Sequence, residues 1–246
     1  METAARFFDH AQRKLQQVLE HEMPNILSAA ELVTESCKKG GKLYVFGAGH
    51  SHLIAEELYL RAGGLCLVHG ILPPELMLHE MPNKSTFLER MEGYSQALVE
   101  LHRVEARDSI LVISNSGRNA VPVEMALEAK KAGAYVICVT SVAYSEGVTS
   151  RHSSGKRLFE CADLVIDNYA PSGDAAVSFD GFPEKSGPLS TVTGAALLNA
   201  MVCGVIEMLL ADGVVPPVFM SANLDGGDEH NRVILSEYSD NIYFMK

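Results

Sequence analysis

The stretch from Ile110 to Gly133, ILVISNSGRNAVPVEMALEAKKAG, passes from a short apolar run directly into small polar residues and then into a longer mixed segment. The unbroken apolar run is typical of a β-strand covered on both faces, and the segment from Asn119 onward is predicted to be a helix. Ser114, Asn115 and Ser116 lie between them, where the first N–H groups of the helix have no partner within it. Donors at such a junction favour an anion, and we predict that this loop holds a phosphate.

The composition and net charge of the chain indicate which classes of binding partner are unfavourable. The 246 residues carry a net charge of −11, which argues against nucleic acid or an anionic membrane as a general partner. A small anion remains compatible, because backbone dipoles can hold it locally. The sequence has no signal-peptide pattern and no apolar run of the ~20 residues that a membrane span needs. Five widely spaced cysteines without a C-x-x-C pair suit a reducing compartment. We therefore expect a cytoplasmic protein that binds neither nucleic acid nor membranes.

Strand and helix patterns alternate along the chain. Two helices are predicted before the first strand, one over 3–22 and a second that begins at Pro24. Ser85–Arg103 is predicted to be a single helix, 171–190 a long connection, and 191–210 a final long helix. Five strands are predicted at 42–49, 65–72, 109–114, 134–141 and 163–168. Their alternation with helices predicts an α/β protein with a parallel, doubly wound sheet.

A second junction between a strand and a helix lies in the segment VFGAGHSHLIAEEL, residues 45–58. Gly47 and Gly49 permit a tight turn, and Ser51 leads into the helix. The third glycine of the dinucleotide fingerprint G-x-G-x-x-G would fall at His52, so that class of site is not favoured. Ligands of doubly wound sheets bind beyond the carboxyl ends of the strands, where the strand order reverses. We predict that the two junctions converge on one anion.

A local alternative exists for the loop at 114–119, because Ser116 or Asn119 would also serve as the cap of the following helix. Two junctions of the same kind in one sheet favour the shared anion over two independent caps.

The two loops together resemble the sugar isomerase (SIS) domain family. GAGHS follows the first strand, and the second motif of the family is Ser-x-Ser-Gly-x-Thr, followed by a helix, Ala-Lys-x-x-Gly and a strand that ends in Thr. The matching residues are Ser114, Ser116, Gly117, Ala129, Lys130, Gly133 and Thr140. Asn119 stands where the family has Thr, and its amide can still donate a hydrogen bond.

The resemblance spans roughly 32–210 and implies a three-layer α-β-α sandwich around a five-stranded sheet, assembled as a homodimer or homotetramer. We expect a single domain over 1–246, with its core at about 32–212, N-terminal helices in 3–39 and a C-terminal extension in 213–246. The implied ligand is a phosphorylated sugar. Its predicted binding residues are Gly49, Ser51, His52, Ser114, Asn115, Ser116 and Asn119.

Aldose–ketose isomerisation needs a base that moves a proton between C1 and C2 of the sugar. Glu56 and Glu57 follow the first loop closely enough to reach a sugar anchored there, and His52 lies one turn before Glu56 on the same helix face. His79 and Glu80, after the second strand, are further candidates. By analogy with SIS enzymes that supply a histidine from a neighbouring subunit, His230 is predicted to open the sugar ring.

Within the family, this helix resembles that of the sedoheptulose-phosphate isomerases, which bind a metal. Ser51–His52 and Ala55–Leu58 match two pieces of their motif, but the spacer is shorter and the metal-binding histidine is missing. No other His or Cys spacing favours a metal. We expect neither a metal nor another cofactor.

Three functions remain open from the sequence. An isomerase acting on a sugar phosphate or amino-sugar phosphate is favoured, because carboxylates lie beside the predicted phosphate loops. A lyase or deaminase acting on amino-sugar phosphates would need a base in a similar place. A non-catalytic sensor of carbohydrate derivatives is the third, although the ~40 residues before the first strand lack the basic face of a DNA-binding module.

Overall fold

A computed structural model describes residues 2–239 of the chain. The strands are β1 (Leu43–Gly47), β2 (Val68–Ile71), β3 (Ser109–Ile113), β4 (Tyr135–Thr140), β5 (Leu164–Asp167), β6 (Ala175–Phe179) and β7 (Phe182–Pro188). The helices are α1 (Glu2–Lys38), α2 (His50–Leu58), α3 (Pro82–Leu88), α4 (Tyr94–His102), α5 (Ala120–Lys131), α6 (Val142–Glu146), α7 (Ser190–Ala211) and α8 (Gly227–Glu237). Short 3₁₀ turns lie at Pro74–Leu76 and Leu158–Glu160.

Five strands form a parallel sheet in the order β2-β1-β3-β4-β5. The chain moves from β1 outward to β2, then returns to β3 on the other side of β1 and continues outward to β5. The strand order therefore reverses between β1 and β3, which is where a doubly wound sheet places its ligand. The predicted α/β architecture with a five-stranded parallel sheet is confirmed.

Side chains that alternate along the central strands build one core on each face of the sheet. Leu43 and Val45 of β1 pack in the cluster formed with α1, α2 and α7. Tyr44 and Phe46 point the other way, into the cluster formed with α4 and α5. All five residues of β1 and all five of β3 are buried, as the unbroken apolar runs predict. The sheet is thus the middle of three layers.

The prediction of two N-terminal helices is wrong, because α1 is continuous and contains Pro24. Proline removes one helical hydrogen bond and costs about 3 kcal/mol inside a helix. Burial of Ile26, Ala30 and Val33 in the core shared with α7 offsets that cost.

The single helix predicted over 85–103 is also wrong, because the chain breaks into α3 and α4. Gly93 adopts a left-handed conformation with φ 90° at the start of α4. The buried carboxylate of Glu124 on α5 accepts hydrogen bonds from the N–H groups of Gly93 (2.6 Å) and Ser95 (2.8 Å). A distant side chain therefore creates a helix start that the local pattern does not reveal.

The connection predicted over 171–190 contains the antiparallel hairpin β6–β7, which stands apart from the parallel sheet. The helix predicted over 191–210 is confirmed as α7. With a mean hydropathy of 1.9, α7 is long and apolar enough to span a membrane by length and composition alone, contrary to the expectation that no such run exists. Core contacts explain much of this composition, because Leu197, Leu198 and Met201 are buried against α1 and α2.

Candidate functional site

The two predicted loops begin side by side. Phe46 is paired with Val112 and Gly47 with Ile113, so β1 and β3 end at the same level of the sheet. A cavity of about 350 Å³ lies over this edge. The lining comes from both loops, the segment after β2, α3 and the residue after it, α6, the segment before β6 and the start of α7. The lining residues are Ala48, Gly49, His50, Ser51, Leu78, Ser85, Thr86, Glu89, Ser114, Asn115, Ser116, Asn119, Tyr144, Gly173, Asp174 and Ser190.

The first loop depends on two glycines. A Cβ on Gly47 would lie 2.3 Å from the carbonyl oxygen of Ser51, so only glycine allows the chain to fold back this tightly. Gly49 has φ +59° and precedes α2 without a side-chain cap. The N–H of Gly49 donates to the carbonyl of Leu76 (3.0 Å), which ties the loop to the segment after β2. The loop therefore presents Ser51 and the uncapped amino end of α2 to the cavity.

The second loop is held by β4 and by the residues after β5. Thr140 donates its hydroxyl to the carbonyl of Ser114 (2.7 Å), and the side-chain amide of Asn168 donates to Oδ1 of Asn115 (3.1 Å). Gly117 has φ +59°, and a Cβ there would lie 2.8 Å from the Ser145 hydroxyl. These contacts fix the loop through its backbone and its asparagine, and its serine hydroxyls take no part in them.

Three serine hydroxyls around the cavity remain uncommitted. Among residues 2–239, those of Ser51, Ser114 and Ser116 make no side-chain hydrogen bond. Asn119 is the residue before α5, yet its side chain makes no capping bond. Its Oδ1 instead accepts from Nη1 of Arg151 (2.8 Å). Neither Ser116 nor Asn119 caps the helix, so the local alternative does not account for this loop.

Glu89 is a cavity-lining carboxylate that the sequence analysis did not single out. Burial raises the pKa of its carboxyl, while a hydrogen bond from Asn119 and the charges of Arg151 and Arg90 oppose that shift. The side chain reaches the cavity because α3 ends there and the carbonyl of Glu89 accepts from the N–H of Val121 (3.0 Å) on α5. In the sequence, Glu89 follows Leu88 within a predicted helix, and nothing there distinguishes it from a solvated glutamate.

A second cavity of about 280 Å³ adjoins the first and shares Gly49 and Leu78 with it. His52, Glu56 and His79 provide its polar groups. The carbonyl of Gly47 can only accept, so Nδ1 of His52 carries the proton in their 3.2 Å hydrogen bond and Nε2 is the acceptor.

Nε2 of His52 has no hydrogen-bond partner among the described residues and lies 3.6 Å from Oε1 of Glu56. Burial lowers the pKa of His52 below its usual value, which favours the neutral ring. The second cavity is therefore lined by the Glu56 carboxylate and by a His52 ring whose unpartnered Nε2 is itself buried.

Two predicted catalytic residues line neither cavity in the single chain. Glu57 forms an ion pair with Arg61 and accepts from Nδ2 of Asn199 (3.3 Å). His230 lies on α8, and its Nε2 is 2.9 Å from the carbonyl of Val218. Helix α8 packs near Cys66, which precedes β2 and so lies at the opposite edge of the sheet from both loops. A role for His230 requires a second subunit.

Of the seven predicted binding residues, six line the first cavity and His52 lines the second. Within residues 2–239, no group of three or more His, Cys, Asp or Glu side chains is arranged to hold a metal ion. Fold and cavity together define a class: doubly wound α/β proteins with a polar cavity at the point where the strand order reverses.

The chain belongs to the SIS domain family. The family model described as SIS domain matches residues 6–141. A UPF0309 protein of Halalkalibacterium halodurans is 52% identical over 233 residues, covering 95% of this chain and 95% of that protein. A UPF0309 protein of Geobacillus thermodenitrificans is 42% identical over 237 residues, covering 96% of this chain and 95% of its own.

Solved structures share the fold at low sequence identity. Phosphoheptose isomerase GmhA from Neisseria gonorrhoeae superposes with a TM-score of 0.58 at 17% identity, covering 84% of this chain and 98% of that chain. The NanR protein of Vibrio vulnificus, solved with ManNAc-6P, has a TM-score of 0.51 at 14% identity, covering 95% of this chain and 69% of its own. These likenesses concern the fold, and the predicted SIS fold is confirmed.

Proposed function

We propose that the protein binds a phosphorylated sugar with its phosphate in the first cavity. The observation that supports this most strongly is the arrangement of three uncommitted hydroxyls, Ser51, Ser114 and Ser116, around the carboxyl ends of two adjacent strands. Helices α2 and α5 begin directly after these two loops, and the positive end of a helix dipole favours an anion.

Replacement of one serine tests this binding proposal. A hydrogen bond to a charged group contributes about 1.5–3 kcal/mol, so Ser116→Ala should weaken binding of fructose 6-phosphate roughly 10-fold or more. Isothermal titration gives the dissociation constants. Ser153→Ala is a matched control, because that hydroxyl donates to Glu92 (2.6 Å) on the surface and lines neither cavity. Equal affinities for both variants and the parent protein would contradict the phosphate site.

Isomerisation is the reaction that the second cavity suits best. With the phosphate in the first cavity, the sugar carbons extend past Gly49 toward His52 and Glu56. The Glu56 carboxylate takes the proton from C2 of the open-chain aldose while O1 takes a proton from solvent water, which gives an enediol. The same proton returns to C1 while O2 loses its proton, which gives the ketose. Neutral His52 accepts a hydrogen bond from a sugar hydroxyl at Nε2 and orients the substrate.

Elimination from an amino-sugar phosphate is the second candidate, and Glu89 is the observation that favours it. Elimination needs one group to remove a proton and another to give a proton to the leaving group. Glu56 and Glu89 border the two adjoining cavities, and burial raises the pKa of Glu89 toward the protonated form that an acid requires. Isomerisation remains the first candidate, because its transfer of a proton from C2 to C1 needs a single carboxylate, which the second cavity supplies.

Exchange in deuterated water distinguishes these reactions. An isomerase incorporates deuterium at C2 of the aldose or C1 of the ketose, as seen by NMR, whereas a lyase or deaminase releases lactate or ammonia. Glu56→Gln should abolish exchange and retain binding, while Glu57→Gln, one residue further along α2, should leave both unchanged. Loss of exchange in Glu57→Gln alone would reverse the assignment of the base. Tight binding with neither reaction would identify a sensor.

Assembly as a homodimer or homotetramer is part of the proposal. Helix α8 lies at the opposite edge of the sheet from the cavities of its own subunit, so the ring-opening role predicted for His230 needs a neighbouring subunit. Light scattering after size-exclusion chromatography gives the oligomeric state. Cytoplasmic location and independence from metals and cofactors stay predictions; dialysis against EDTA should leave the exchange rate unchanged.

A further inference from the structure

Three arginines lie together beside the first cavity. The backbone N–H of Arg151 donates to the carbonyl of Arg118 (2.7 Å), which brings the two residues side by side. Nη1 of Arg151 donates to Oδ1 of Asn119 (2.8 Å), a residue of the cavity wall. Arg90 follows Glu89 at the end of α3, and its charge acts on both Glu89 and Arg151. We call Arg90, Arg118 and Arg151 the arginine cluster. The side chain of Asn119 separates this cluster from the cavity.

Among the described residues, the three arginines of the cluster have no carboxylate within ion-pair distance, a feature they share with Arg6, Arg13 and Arg103; what sets them apart is that they lie together. Arg61, Arg107, Arg157 and Arg232 each form an ion pair with a glutamate. Among the described residues, Arg90, Arg118 and Arg151 form none within 4.0 Å. In a chain with a net charge of −11, three such cations in one place oppose the average charge.

The positive charges of the three arginines repel one another, and a bound anion would relieve that repulsion. Burial lowers the pKa of Arg151, and the charges of Arg118 and Arg90 lower it further. Arg118 is held in place, since its Nε donates to the carbonyl of Thr149 (3.0 Å) and its Nη2 to the Thr149 hydroxyl (3.2 Å). Glu89 is a carboxylate whose charge acts on Arg151, but a single carboxylate does not balance three cations.

We infer that the arginine cluster binds a second anionic group of the ligand, so that the substrate class is a sugar phosphate carrying another carboxylate or phosphate. This inference rests on the proposed function, because it places the first phosphate between the two serine loops. Guanidinium groups suit such a group, since they present paired N–H donors that match two oxygens of a carboxylate or phosphate. Arg151 and Asn119 form the boundary between the two anion positions.

Titration calorimetry with three small ligands tests the inference. Fructose 6-phosphate carries one anionic group, fructose 1,6-bisphosphate adds a phosphate, and 6-phosphogluconate adds a carboxylate. We expect at least one of the two doubly anionic ligands to bind the parent protein 10-fold or more tightly than fructose 6-phosphate. The preferred one identifies the second group as phosphate or carboxylate. The advantage should shrink as salt is raised, because the arginines are partly exposed.

Substitutions test whether the arginine cluster is responsible for the tighter binding of a doubly anionic ligand. Arg151→Gln and Arg90→Gln should each reduce the advantage of the doubly anionic ligand at least fivefold, with little change for fructose 6-phosphate. Arg13→Gln is the matched control, because Arg13 is exposed on α1, forms no ion pair among the described residues and lines neither cavity. Binding of all three ligands with equal affinity, or an advantage that survives both substitutions, would overturn the second subsite and leave the proposed function standing. If no ligand binds, both proposals fail.

Discussion

The contact between Glu124 and the start of α4 allows a quantitative prediction. In Glu124→Gln, the amide oxygen can still accept from one of the N–H groups of Gly93 and Ser95, but the amide nitrogen faces the other. One charge-assisted hydrogen bond is lost at a buried site, which should lower the free energy of unfolding by about 1.5–3 kcal/mol. For a chain of this size, each kcal/mol corresponds to about 2–4 °C, so the melting temperature should fall by about 3–12 °C.

Glu128→Gln is the control, because it makes the same substitution one turn further along α5. Glu128 pairs with the exposed Lys131 (2.6 Å), and such surface pairs contribute about 0–1 kcal/mol. Calorimetry or circular dichroism measures both variants under identical conditions. Equal shifts in the two variants, or a shift below about 1 °C for Glu124→Gln, would refute the claim that this carboxylate holds the break between α3 and α4.

Three further predictions concern the loops, the buried histidine and the thiols. Both Gly117 and Gly155 have positive φ, so alanine at either position should cost about 1–2 kcal/mol in backbone strain. Only at Gly117 would the new Cβ also meet a hydroxyl oxygen, 2.8 Å away, so Gly117→Ala should lower the melting temperature more than Gly155→Ala. Burial lowers the folded-state pKa of His52, so the unfolded chain binds the proton more readily and the free energy of unfolding falls as the pH drops below about 6.5. Urea denaturation at pH 7 and pH 5 should show a smaller decrease for His52→Gln than for the parent protein. Native protein should react with Ellman's reagent rapidly at the exposed Cys203, whereas Cys138, buried and with its pKa raised by burial, should react only after unfolding; rapid labelling of Cys138 in the native protein would contradict the structure.

The parallel sheet and the location of the cavity could be predicted because they depend on local patterns. The apolar runs Leu43–Gly47 and Ser109–Ile113 are each followed by glycine and small polar residues, and both features hold in the structure. The order of the strands places these two junctions next to each other. A doubly wound sheet gives little freedom to put them elsewhere.

The remaining features depend on contacts between distant residues. The break at Gly93 is set by Glu124, which lies on another helix. Glu89 becomes part of the cavity wall only when α3 packs on α5, and helical spacing alone cannot distinguish it from a solvated glutamate. Pro24 by its usual preference predicts a helix start, and tertiary packing overrides that preference in α1. The pairing of Arg151 with Asn119 likewise joins residues that no periodicity connects.

The first cavity takes its two loops from separate parts of the chain, one after β1 and one after β3. If an oxyanion binds between them, as proposed above, it has no counterpart in the denatured ensemble and shifts the folding equilibrium by mass action. At one hundred times its dissociation constant, such a solute adds about 2.7 kcal/mol to the free energy of unfolding. That increment is as large as the effect of many substitutions, and melting curves recorded in phosphate or sulfate buffers would report the solute together with the polypeptide. Denaturation experiments on this protein therefore belong in amine or zwitterionic buffers.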